Sequence, residues 1–260
     1  MRDIGLLISY DGTAYCGFQA QPNLRTIQQE LQDAIHVLTG EEVKVVGSGR
    51  TDSGVHAMGQ VIQFQTTSAI PIERWKLALN ARLPQDIVIR AAVEAPPGFD
   101  VIRSATRKTY RYTINNNRIP DIFHRRLQFH HPTPLNLTEM IAGLEGLLGE
   151  HDFSSFCSRK STKSSHVRTL YEATIITEKD SYPDTEGRNG VFHIFITGNG
   201  FLYNMVRIIV GTLLQVGEGK RTAEDMMKIL ESRDRGAAGP TAIAQGLCLW
   251  QVDYDLIKFT

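Results

Sequence analysis

Residues 47–57 read Gly-Ser-Gly-Arg-Thr-Asp-Ser-Gly-Val-His-Ala and set an arginine, an aspartate and three hydroxyl residues among three glycines. The apolar run 43–46 precedes them and the alternating run 60–65 follows, so both flanks read as strands. Glycine at such a handover relieves the Cβ clash and lets another backbone or a ligand come close. Arg50 and Asp52 are therefore presented on a connection and not packed in a core. Two chemistries fit. One is a hairpin link turned by Asp-Ser-Gly. The other is a phosphate cradle, since the glycine spacing is that of a nucleotide-binding loop. A phosphate loop would place Lys and then Ser or Thr after its last glycine and open a helix, whereas Val55-His56-Ala57 and a strand follow here.

Three other stretches carry reactive or binding side chains. In Lys108-Thr109-Tyr110-Arg111-Tyr112 a period of two turns Lys108, Tyr110 and Tyr112 one way and Thr109 and Arg111 the other. A tyrosine there packs a half-buried strand or offers its face to an extruded base. The apolar helix predicted over 201–216 holds one charge, Arg207, and a guanidinium in such a place calls for a carboxylate partner, as in a structural ion pair. Residues 103–126 hold seven Lys and Arg against Asp121 alone, a local charge of plus six that suits a polyanion. The loop 159–165, Arg-Lys-Ser-Thr-Lys-Ser-Ser, is either a solvated connection or a second phosphate contact.

The elements that position these groups follow from periodicity. The first half reads β-α-β-β-α-β: strand 4–10, a helix capped by Thr26 and closed by Gly40, strands 43–46 and 60–64, a helix opened by Pro71 and ended by Pro84, and strand 87–92. The order recurs in strand 106–114, helix 135–148, strands 167–177 and 191–197, helix 201–216 and strand 247–254, with an extra helix over 223–230. This predicts an α+β fold of two ferredoxin-like β-α-β-β-α-β halves that share a long central antiparallel sheet flanked by helices. The halves divide at Pro96-Pro97-Gly98 into 1–98, which carries the Asp52 loop, and 99–260, which carries Tyr110 and Arg207. Residues 180–190 read as a surface hairpin tip.

The composition is that of a soluble globular protein: 260 residues, 42% hydrophobic and 22% charged, with Lys plus Arg equal to Asp plus Glu at 28 each. No signal-peptide core or membrane-length apolar run is present, which predicts a cytoplasmic protein. Cys16, Cys157 and Cys248 form no C-x-x-C and read as free thiols, and the eight histidines make no zinc pattern, so no metal is expected.

Six stretches taken together carry a resemblance: Tyr10-Asp11-Gly12-Thr13, Gly17-Phe18-Gln19-Ala20-Gln21-Pro22, Gly49 to Ala57, Lys108 to Tyr112, Asn204-Met205-Val206-Arg207 and Gly239-Pro240-Thr241-Ala242. In this order, spread over nearly the whole chain, they resemble the tRNA pseudouridine synthase A family. The resemblance implies the pseudouridine synthase fold. It also implies an isomerase that converts uridine to pseudouridine at positions 38, 39 and 40 of the tRNA anticodon stem-loop, and a homodimer whose two subunits touch one tRNA. Asp52 matches the family's catalytic aspartate, Tyr110 the tyrosine that stacks on the target base, and Arg207 the arginine that pairs with the aspartate. Arg50 matches a residue tied to the flipped-out state, and Leu247 the apolar lining of the pocket. Ser53 stands where alanine is common and Ile243 where proline is common, which bears on pocket shape and not on a catalytic group.

The reaction needs no redox step and no group donor, so no cofactor is implied. An ionised carboxylate attacks ribose C1′, or removes the 2′ proton to give a glycal, and the sequence leaves both routes open. A base inside a stem is reached only by extrusion. Choice among adjacent positions of one folded RNA is suited to shape and phosphate contacts, for which Arg107, Lys108, Arg111 and Lys160 are the candidates. The competing class is a non-catalytic RNA-binding module, which β-α-β-β-α-β halves with surface aromatics also suit.

Overall fold

The computed structural model describes residues 1–178 and 188–259, so most of the hairpin tip expected over 180–190 lies outside the described residues. The chain forms two compact units, Met1–Lys108 with Cys248–Thr260, and Thr109–Leu247. The division expected at residue 98 follows the repeat of elements, whereas these units follow packing and count the C-terminal strand with the first.

In the first unit, β1 (Arg2–Tyr10) lies between β4 (Ile87–Glu94) and β3 (His56–Thr66), antiparallel to both. The start of β10 (Leu247–Tyr254) pairs parallel with β3, Cys248 beside His56 and Leu249 beside Ala57. Alternation in β1 buries Ile4, Leu6 and Ile8 completely, each contributing about 1.5–3 kcal/mol. Helix α1 (Ile27–Thr39) starts at Thr26, whose side chain accepts from Gln29 N–H, and ends at Gly40, as expected. Its Leu31 and Ile35 are buried, as are Trp75 and Leu79 of α2 (Ile72–Asn80), and Trp75 meets Phe64 edge to face at 5.3 Å.

The strand expected over 43–46 shrinks to β2 (Val46–Gly47). The cause is local. Val45 N–H bonds Gln32 Oε1, and its carbonyl accepts from Gln28 Nε2, so side chains of α1 take the places a neighbouring strand would fill.

In the second unit, β5 (Ala105–Asn115), from Thr109 onward, is followed across the sheet by β9 (Val191–Gly198), β8 (Val167–Thr177) and β7 (Gly149–Asp152), with the short β6 (Phe129–His130) parallel to the end of β5. Helix α4 (Met205–Gly217) is apolar on nearly every side, with Ile208, Ile209, Val210 and Leu213 fully buried. It packs with α3 (Leu137–Glu145) and α5 (Ala223–Ser232), the latter started by a capping box between Thr222 and Asp225. The α+β class stands, each unit built on a mostly antiparallel sheet. Among the described residues no helix is long and apolar enough to cross a membrane.

Candidate active site

Asp52 lies on the connection between β2 and β3, half-buried, and the backbone around it is held on several sides. Ser48 N–H bonds Val61 O at 2.8 Å, its hydroxyl meets Gln60 Oε1 at 2.7 Å, and Gln60 Nε2 donates back to Gly49 O at 2.6 Å. Lys108 Nζ also donates to the Ser48 carbonyl. Thr51, buried, bonds the Tyr10 hydroxyl through its side chain at 2.7 Å and accepts from Phe18 N–H at 3.0 Å. The turn itself closes by Val55 N–H to Asp52 O at 3.1 Å, with Gly54 at φ 76°, a left-handed conformation that glycine adopts without strain. Tyr15 O accepts from both Gly54 N–H and the Ser53 hydroxyl at 3.2 Å. Arg50 is exposed.

The supports come from the end of β1 and the turn after it. β1 and β3 shift register between Ile8 and Tyr10, which brings Tyr10 opposite Ala57. Burial raises the Tyr10 phenol well above its ordinary value, against the hydrogen bonds from Thr51 and Gln60 that lower it. Tyr15 is fixed in turn by its hydroxyl on Asp86 and by Arg25, whose guanidinium lies 4.4 Å from the ring centre. In the sequence Tyr10 stands inside the Tyr10-Asp11-Gly12-Thr13 stretch without a role of its own, and Tyr15 lies between that stretch and the next. The signal was a tyrosine, with a polar tip, closing an otherwise aliphatic strand.

Within the second unit, Tyr110 and Tyr112 are both buried on the face of β5 that the alternation predicts. Tyr110 meets Phe201 edge to face at 5.0 Å and 84°. Tyr112 donates to Ile243 O at 2.9 Å, and burial raises its phenol above the ordinary range while the Arg207 charge opposes. Arg111 points to the other face, where its charge acts on His193. Burial first, then Arg111, lowers that imidazole, and Glu178 at 2.7 Å opposes them.

Arg207 stands in the first turn of α4, where the helix dipole disfavours a cation. Its Nε donates to Ala242 O at 2.7 Å and its Nη1 to Asn204 Oδ1 at 3.0 Å, while Ala242 N–H returns to Arg207 O at 3.0 Å. The helix expected from 201 begins at Met205 because Asn204 is left-handed, φ 61°. Residues 239–242, a motif without an assigned role in the sequence, thus serve as a seat for the guanidinium. Leu247 is buried where the 244–246 turn enters β10. Arg107 and Lys160 are exposed, whereas Lys108 and Arg111 are half-buried.

The comparison with known proteins decides the family. The family model described as tRNA pseudouridine synthase matches residues 6–102 and 144–255. The chain belongs to the tRNA pseudouridine synthase family. Curated proteins called tRNA pseudouridine synthase A are similar along their length. The protein of Anoxybacillus flavithermus is 46% identical over 98% of this chain and 100% of its own, and that of Bacillus subtilis 48% identical over 95% and 97%. The protein of Caldicellulosiruptor bescii is 46% identical over 98% and 100%. As a tRNA pseudouridine synthase this chain is an enzyme, an isomerase of uridine in tRNA, and not a non-catalytic RNA-binding module.

Proposed function

We propose that the chain converts uridine to pseudouridine at positions 38, 39 and 40 of the tRNA anticodon stem-loop, with Asp52 as its catalytic carboxylate. The observation that supports this reading is the half-buried Asp52 on a turn braced by Tyr10, Tyr15, Phe18 and Val55. A group held that way meets the positional demand of covalent or proton-transfer chemistry.

In this reading the Asp52 carboxylate forms a bond to ribose C1′ as the bond to base nitrogen 1 breaks, and uracil leaves with that electron pair. The base turns, carbon 5 attacks C1′ and expels the carboxylate, carbon 5 gives up its proton and nitrogen 1 takes one. In the glycal variant Asp52 removes the 2′ proton as uracil leaves C1′, and returns it to C2′ as carbon 5 bonds to C1′. Both routes use the ionised form, which Arg207 favours and orients. Tyr110 holds the uracil face and its hydroxyl receives the carbon 5 proton. Arg50 fills the space the extruded nucleotide leaves, and Leu247 lines the pocket. Arg107, Lys108, Arg111 and Lys160 contact phosphates. The enzyme works as a cytoplasmic homodimer, without cofactor or metal.

The test is tritium release from tRNA labelled at uridine carbon 5, comparing the protein with Asp52→Asn at matched tRNA occupancy. Loss of about 10³-fold or more in the variant is expected. Release at the parent rate would remove Asp52 from the chemistry. Tyr110→Phe keeps tRNA binding and loses turnover, and near-normal release from it would remove the proton-acceptor role.

A further inference from the structure

We infer that His56, together with Asp11, is a positioning residue for Asp52: the pair sets the turn that carries the carboxylate, and so governs turnover and not tRNA affinity. The inference rests on the assignment of Asp52 as the catalytic carboxylate.

His56 opens β3 just past the Asp52 turn and is only 4% exposed. An imidazole withdrawn from water needs hydrogen-bond partners, or its burial is costly. Its Nδ1 lies 3.1 Å from the N–H of Gly12 and 3.1 Å from Oδ1 of Asp11. The two contacts use different states of one nitrogen. With a lone pair, Nδ1 accepts from Gly12; carrying hydrogen, it donates to Asp11. In either state the ring stays tied to residues 11 and 12. Asp11 Oδ1 is itself fixed by the N–H of Thr13 at 2.9 Å and the Thr13 hydroxyl at 2.5 Å.

The tie is tight because Gly12 leaves no space for slippage. A Cβ there would sit 2.0 Å from the carbonyl oxygen of Val55, the residue before His56. Backbone therefore lies on backbone, and the histidine ring locks the register of that contact. From Val55 the path to Asp52 is one hydrogen bond, Val55 N–H to Asp52 O, across the turn that Gly54 completes. Removing the ring frees Val55 to move, and the carboxylate moves with it. His56 acts through this backbone and not on the uridine, which makes it a positioning residue. The same geometry seats the Tyr-Asp-Gly-Thr stretch and the Asp52 turn of this chain on each other.

The experiment compares His56→Ala, His56→Asn, His56→Gln, Asp11→Ala and the double variant with the parent and Asp52→Asn. Single-turnover tritium release, tRNA Kd by filter binding and thermal melting are read on each. His56→Ala lowers the release rate about 100-fold, the loss expected from a displacement of about 1 Å, with Kd within about threefold. The amide of Asn lies where Nδ1 stood, so His56→Asn recovers to within about tenfold of the parent, while His56→Gln, whose amide lies nearer the Nε2 position, does not. Asp11→Ala lowers the rate about tenfold, and the double variant loses less than the product of the singles. Parent-like release from His56→Ala, equal rescue by Gln and Asn, or a double variant that shows the full product would each overturn the inference. Should His56→Ala fail to fold, the Asn and Gln pair and Asp11→Ala, at a side chain 31% exposed, decide it. An active Asp52→Asn would sink the assignment of Asp52 itself. An inactive Asp52→Asn beside fully active His56 variants would sink only the positioning role.

Discussion

Two loops of similar composition differ in how their backbones are held. Residues 48–55, Ser-Gly-Arg-Thr-Asp-Ser-Gly-Val, are bonded to β1, to β3 and to the turn after β1, with Ser48, Thr51 and Val55 buried. Residues 158–165, Ser-Arg-Lys-Ser-Thr-Lys-Ser-Ser, are tied by Ser158 N–H to Tyr203 O at 2.9 Å and then bond mainly to themselves, as in Lys160 N–H to Ser158 Oγ and Lys163 N–H to Ser161 Oγ at 3.3 Å. Their Arg159, Lys160 and Lys163 are exposed. Serine is plentiful in both, so the polar residues do not make the difference. What differs is whether strands and glycines bring a second backbone within reach. A carboxylate that must meet one atom needs such a frame. A cation that meets a phosphate through solvent does not, because its attraction falls off over about 8–10 Å.

If the frame is what distinguishes the first loop, breaking it should have the largest effect. Gly12→Ala places a Cβ 2.0 Å from Val55 O, a backbone atom that cannot swing aside. A loss of about 3 kcal/mol is expected, read as a lower urea midpoint, with tritium release reduced in whatever remains folded. An unchanged midpoint would mean that the turn after β1 gives way freely and that the first loop is no more fixed than the second.

Tyr10→Phe tests one strut. It removes the hydroxyl from Thr51 and leaves a buried side chain short of a partner, for a loss of about 1–2 kcal/mol at neutral pH. The same residue carries a pH signature. Burial raises its folded pKa above the unfolded value of about 10, so the stability it contributes is complete below about pH 10 and is lost as pH rises toward the folded value. Burial raises Tyr112 and Tyr254 likewise, and the parent should lose stability steeply above pH 10. Urea midpoints between pH 8 and 11 should fall less for Tyr10→Phe than for the parent, and parallel curves would exclude Tyr10 from that loss.

Much of the fold was legible. Strands 167–177 and 247–254 were read to the residue, because alternating β-branched and aromatic side chains end at polar breaks, and Thr26 and Gly40 bounded a helix as caps do. Non-local backbone pairing was not. β7 is Gly-Glu-His-Asp, a polar run that becomes a strand only because β8 lies beside it. The expected strand 43–46 lost most of its length to glutamine side chains of α1. The site divides the same way. By type and spacing alone, Asp52 was a turn residue, Tyr110 a packing residue and Arg207 half of an ion pair, and the roles proposed for them rest on the resemblance that six motifs in order carry. His56 stood inside one of those motifs, but its use depends on Asp11 and Gly12, 44 or more residues earlier, which no local pattern encodes.

The smallest effect is expected in the second loop, and there it separates stability from binding. Ser164→Ala removes an exposed hydroxyl, and a melting temperature within about 1 °C of the parent is the expected result. Lys160→Ala should be equally harmless to folding. If Lys160 grips a phosphate of the tRNA, its loss removes one released counterion, and the slope of log K against log salt becomes shallower by about 0.7–0.9. The weakening should be uniform across tRNA sequences, about threefold at moderate salt, with single-turnover release at saturating tRNA unchanged. That pattern is the reverse of the one expected for the first loop, where the rate falls and affinity holds. A Lys160→Ala variant that bound normally at every salt concentration would leave the loop a solvated connection. One that released tritium slowly at saturation would show that the exposed loop, too, positions a reacting group, and the contrast between the two loops would no longer hold.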